Sequence, residues 1–210
     1  MALEVIRIEN YPVNSNCLLI FDRDVNSECL IVDPGSKDPS LIDSKVVELD
    51  LYPKYLILTH EHFDHIWSCS FFMNKYDATI ICSSLCSELI GSAKKNLSLY
   101  YDNSPFIVEG KMTETEAINN LLKWNSHKIL FVPAPGHTQA GICFTIGKYL
   151  FTGDTLLKDI KTITKLLAGS KTDLLNTLAK IESFKGENYI VCPGHGEMFD
   201  LDTYNLKTVI

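Results

Sequence analysis

Apolar and polar positions in this chain switch repeatedly between a period of two and a period near 3.6. The first third carries three short strand-type runs, at residues 4–8, 17–22 and 29–33. The polar stretch DRDVNSE reads as a hairpin turn between the latter two. Asp33-Pro34-Gly35 ends the third run. Leu41, Ile42, Val46 and Leu49 then recur at helical spacing within residues 39–49, and residues 55–58 form a buried-type strand leading straight into Thr59-His60. Helices are predicted over residues 66–76 and 84–99, with a strand at 78–82 between them. Residues 103–126 show no clear period beyond a turn at Glu109-Gly110-Lys111 and an element ending near Trp124. Strands follow at 128–132, 141–146 and 149–151, then a helix over 172–183 and a last strand at 189–192. Two batches of strands, each with helices behind it, predict a layered α/β protein rather than an all-β barrel.

No repeat, low-complexity tract or Gly/Ser linker interrupts this pattern, so residues 1–210 are expected to form a single domain. With 46% hydrophobic and 21% charged residues, it is large enough for a sizeable core and a polar pocket. The longest apolar runs, such as residues 17–21, are far too short to span a bilayer. The opening MALEVIRIENY has neither a basic patch followed by an apolar stretch nor a small-residue cleavage site. A cytoplasmic protein without membrane contact is expected. The seven cysteines are odd in number, lack paired spacing and sit mostly in apolar runs, so they read as small hydrophobes and not as a disulfide framework. A formal charge of −7 argues against nucleic acid as the partner. It leaves room for a small molecule, even an anionic one, because bound metal creates a local cationic site. Oligomeric state is not readable from the sequence.

The chemistry concentrates in the histidines. There are six, and five fall in three clusters, each at the end of a predicted strand. The array His60-Glu61-His62-Phe63-Asp64-His65 follows residues 55–58, Gly136-His137-Thr138 follows 128–132, and Gly194-His195-Gly196 follows 189–192. Asp154, in Gly153-Asp154-Thr155, stands in the same kind of place. Imidazole nitrogen and carboxylate oxygen are the usual ligands of zinc and similar ions. Loops at strand ends let several such groups converge from different directions while the sheets keep them rigid. His127 reads as a solvated loop residue.

In order along the chain, THEHFDH, APGHT, FTGDT and PGHGE resemble the metallo-β-lactamase superfamily, and most closely its glyoxalase II-like hydrolase branch. The resemblance implies a four-layer αββα sandwich with a dinuclear metal site. Carried over by position, His60, His62 and His137 would hold one ion, Asp64, His65 and His195 the other, and Asp154 would bridge them. All seven positions hold the expected residue type. Zinc β-lactamases typically carry cysteine where Asp154 stands. Flavodiiron proteins carry glutamate in place of the array's second histidine, here His62. The full set therefore favours hydrolysis.

Two divalent ions, zinc first and iron or manganese as alternatives, would make a shared water nucleophilic at neutral pH. Asp64 is the catalytic candidate to orient that water or take its proton. Asp33, in a D-x-G turn, is the candidate carboxylate partner for a ligand histidine's second ring nitrogen; a self-capping turn is the competing reading. Thr59, Thr138 and Thr155 are expected to tie down loops. Lys158, Lys161 and Lys165, and the stretch with Lys94, Lys95, Tyr100 and Tyr101, either border a pocket or form charged surface. The expected reaction is hydrolysis of a small thioester or ester. Only 14 residues follow Gly196, with Lys207 the sole basic one, so the glutathione-binding region of glyoxalase II proper is expected to be absent or replaced. A phosphodiesterase or nuclease on the same centre and a single-iron persulfide dioxygenase are the alternatives.

Overall fold

The strand run NCLLIF is buried at every position, and a segment with no solvated face belongs inside a sheet with both sides covered. It forms β2 in a computed structural model that describes residues 3–209. Met1, Ala2 and Ile210, the ends of the span expected to form one domain, lie outside the described residues. After Glu114 the chain divides into two compact units.

The first unit carries β1 (Glu4–Glu9), β2 (Asn16–Phe21), β3 (Glu28–Val32), α1 (Ser40–Glu48), β4 (Tyr52–Ile57), α2 (Phe63–Ile66), α3 (Cys69–Tyr76), β5 (Thr79–Cys82), α4 (Ser84–Ile90) and β6 (Met112–Glu114). Its six strands lie in the order β1-β2-β3-β4-β5-β6. The first two pairings are antiparallel. From β3 onward the pairings are parallel, as strands joined by helical crossovers should be. Because β3 and β4 run the same way, Asp33 and the 60–65 array leave the sheet at the same edge.

Helix α4 is shorter than the 84–99 period predicts. It stops at Ile90, followed by Gly91. The buried Asn96 side chain then bonds to backbone, donating to the carbonyls of Ile90 (3.3 Å) and Phe106 (2.9 Å) and accepting from the Ser98 amide (2.9 Å). Such side-chain bonds offer the backbone an alternative to the helix, and Leu97 adopts a left-handed φ of 67°.

The second unit carries β7 (Leu121–Trp124), β8 (His127–Pro133), β9 (Ile142–Ile146), β10 (Tyr149–Gly153), α5 (Lys171–Glu182), β11 (Ile190–Pro193) and β12 (Phe199–Asp200). The strand order is β12-β11-β10-β9-β8-β7. Only β10 and β11 pair in parallel. Two antiparallel steps separate β8 from β10, so β8, β10 and β11 all point one way. His137, Asp154 and His195 therefore emerge at one edge. Helix α5 buries Leu174, Thr177, Leu178 and Ile181, spaced three and four apart, against Leu150, Val191 and Phe199. His127 is not in a loop: it opens β8 opposite Trp124, with the rings stacked at 5.9 Å. No helix among the described residues is long and apolar enough to cross a membrane.

Candidate metal centre

In the first unit the geometry is organised by one carboxylate. Asp33 follows β3 with φ 49°, a left-handed conformation that aspartate tolerates better than most residues. Its amide donates to the Ile57 carbonyl at 3.1 Å, which fixes it beside the end of β4. Only 1% of it is exposed. Oδ1 accepts the Thr59 amide at 2.8 Å, while Oδ2 accepts the Thr59 hydroxyl at 2.6 Å and faces His65 Nδ1 at 3.0 Å. These bonds set ring protons. Thr59 has one hydroxyl proton and spends it on Asp33, so its oxygen is left to accept from His60 Nδ1, 3.0 Å away. His65 Nδ1 likewise donates to Asp33. In the neutral form each of these imidazoles carries its proton on Nδ1 and presents Nε2 unprotonated, the state a metal ligand needs.

The rest of the array lies close by. His60 Nε2 is 3.2 Å from His62 Nδ1, and His65 Nε2 is 3.7 Å from Asp64 Oδ2. Asp33, His60 and His65 bring potential ligand atoms within 4.8 Å of one another, but both Asp33 oxygens are already committed, so Asp33 orients the rings. The Asp64 carbonyl accepts the Ser15 hydroxyl. It also abuts Gly35 so closely that a Cβ there would lie 1.6 Å from it. That explains the glycine in Asp33-Pro34-Gly35: the backbone must pass without a side chain.

In the second unit His137 donates from Nδ1 to the Ile163 carbonyl at 2.7 Å, which again leaves Nε2 for a ligand bond. Asp154 Oδ2 lies 3.6 Å from His137 Nε2 and 3.4 Å from His195 Nε2. Gly136, with φ 150°, presses on the first turn of α5, where a Cβ would come within 2.5 Å of Leu174. The Gly194 amide bonds the Gly153 carbonyl at 2.8 Å and ties together the loops bearing Asp154 and His195.

These spacings test the donor set against a divalent ion. Two ligands about 2.0–2.2 Å from one tetrahedral ion stand about 3.4 Å apart. The imidazole–carboxylate pairs in both units lie at 3.4–3.7 Å, longer than the usual hydrogen bond and close to that separation. The residues fit a metal.

Other positions divide less evenly. Lys158 pairs with Glu197 at 3.1 Å and Lys95 with Glu88 at 2.6 Å, so both belong to charged surface. Lys161 lines a cavity beside His137. Tyr101 packs on Phe63 at 4.7 Å, next to the array. Thr138 accepts the Ala140 amide at 2.9 Å, as a loop-tying residue should. Ser15, the Ile163 carbonyl and the apolar cavity wall do not stand out in the sequence. A backbone carbonyl has no residue identity to read, and Ser15 acts through long-range folding.

Residues 10–195 match the metallo-beta-lactamase superfamily. A probable polyketide biosynthesis zinc-dependent hydrolase of Bacillus velezensis is 28% identical over 194 residues, covering 91% of this chain and 78% of that protein. A hydroxyacylglutathione hydrolase of Buchnera aphidicola is 26% identical over 167 residues, covering 80% of this chain and 57% of that protein. The solved structure of the BLEG-1 B3 metallo-beta-lactamase is similar in fold, with a TM-score of 0.85 at 22% identity over 94% of each chain.

Proposed function

Because the chain belongs to the metallo-β-lactamase superfamily, we propose that it is a metal-dependent hydrolase of a small thioester or ester, working with two divalent ions. On this reading residues 1–210 act as one hydrolase domain. The superfamily's ligand order assigns His60, His62 and His137 to one ion and Asp64, His65 and His195 to the other, with Asp154 shared. One observation carries the proposal: a single oxygen, Asp154 Oδ2, stands at ligand–ligand distance from both His137 and His195, which the pattern assigns to different ions.

Bound ions would supply Lewis-acid polarisation of the substrate's carbonyl and a nucleophilic water at neutral pH. The chain's own groups do the positioning. Asp33, directly and through Thr59, keeps the Nδ1 protons of His65 and His60 in place, and the Ile163 carbonyl does so for His137. Asp64 is the carboxylate placed to orient the attacking water and take its proton. Relatives named as a zinc-dependent hydrolase and as a hydroxyacylglutathione hydrolase support the thioester reading and zinc as first choice. The same nitrogen and oxygen donors also accept iron or manganese. Seven free, buried thiols suit a reducing cytoplasm.

The test is direct. Protein loaded with zinc or manganese should hydrolyse a short thioester, and His60→Ala should abolish turnover. Full metal loading with no cleavage of thioesters or esters contradicts the proposal.

A further inference from the structure

A cavity of about 240 Å³ opens beside His137, Asp154 and His195, and most of its remaining wall is Leu157, Ile160 and Ile163. Lys161 also lines the cavity. Ile160 and Ile163 are 46% and 56% exposed, so neither is held there by core packing. Exposed apolar side chains gathered around a concave polar site mark a binding surface.

The wall is also fixed. The Thr162 hydroxyl lies within hydrogen-bond reach of the carbonyls of Asp154 (3.1 Å) and Thr155 (3.2 Å). Its amide donates to the Val209 carbonyl at 3.0 Å. The Asp159 amide donates to the Tyr204 hydroxyl at 2.8 Å. Ile163, through its carbonyl on His137, ties the wall to the ligand set itself. Ile160 Cδ1 reaches across to Gly196, 4.0 Å from where a Cβ would stand, beside His195.

We propose that Leu157, Ile160 and Ile163 select the acyl group, so that the substrate carries a short apolar acyl chain rather than a hydroxylated or charged one. This rests on the hydrolase reading and names its substrate class. The volume lies below the roughly 300–1,000 Å³ of drug-sized sites and so has room for a short acyl chain but not for a bulky group.

The experiment uses metal-loaded protein and N-acetylcysteamine thioesters that differ only in the acyl group. From acetyl through propionyl to butyryl, kcat/KM should rise about fourfold per methylene, and lactoyl should fall below propionyl by up to about a hundredfold. Ile160→Ser and Ile163→Ser should each flatten the series. A second readout needs no turnover: affinities for acetate, propionate and butyrate should climb with the same slope and lose it in both variants. If the carboxylate slope is present but no thioester is cleaved, the selecting wall stands and the hydrolase reading fails. If thioesters are cleaved with a flat series, or lactoyl matches butyryl, the wall is overturned while the hydrolase reading stands.

Discussion

At the scale of single residues Asp33 organises the 60–65 array, because it receives the Thr59 amide and hydroxyl and faces His65 Nδ1. Its replacement by alanine should weaken metal binding or activity by about 10–100-fold, the usual effect of losing a ligand's supporting carboxylate. Thr59→Val should do less, because it releases only His60. Chelator competition against zinc measures both, and an Asp33→Ala protein with unchanged affinity would remove the orienting role. Gly35→Ala should lower the melting temperature sharply, since a Cβ there would stand 1.6 Å from the Asp64 carbonyl. Gly91→Ala meets only the Glu88 carbonyl, at 3.4 Å, and should be tolerated. Thermal unfolding of the two variants side by side decides. Metal chemistry restricts ligands to a few side-chain types, so the 60–65 array, His137, Asp154 and His195 stand out in the sequence. The partners that aim them stand out less: Asp33 shows through its turn, whereas the Ile163 carbonyl leaves no trace.

At the scale of elements, α5 joins the second unit's core to the His137 loop. Ser170 caps it by accepting the Asp173 amide at 3.2 Å and donates its own amide to the Gly136 carbonyl at 2.8 Å. Leu178→Ala should cost about 2–5 kcal/mol of stability, because Leu178 is only 5% exposed. Leu175→Ala, at a position 48% exposed, should stay within about 0.5 kcal/mol. Urea denaturation separates them, and equal losses would mean that α5 packs through another face. Helix α5 was legible because its apolar residues repeat at helical spacing without interruption. The shorter α4 was not, because a buried Asn96 takes over backbone partners that a periodic pattern assigns to the helix. Strands β6 and β7 lie in residues 103–126, where three- and four-residue elements are too short to show a period.

At the scale of the molecule, burial raises the Cys17, Cys69 and Cys192 thiols above their ordinary value of 9.0 and pushes Cys29 and Cys143 up to about 12. All seven thiols are buried, so in the native protein they should resist alkylation at pH 8, and all seven should react on unfolding. Between pH 9 and about 12 the unfolded chain gives up the Cys29 and Cys143 protons while the native chain keeps them, so this contribution to stability falls as pH rises. Melting temperatures from pH 8 to 11 should fall above pH 9, with a smaller fall in Cys143→Ala. In the proposed ligand set Asp154 is the member shared by both ions. The most direct measurement is metal content per chain in wild type and Asp154→Ala after equilibration with limiting zinc. Two tightly held ions are expected in the wild type, and loss of at least one in the variant. Fewer than two in the wild type, or two held with undiminished affinity by Asp154→Ala, would contradict the proposed ligand set.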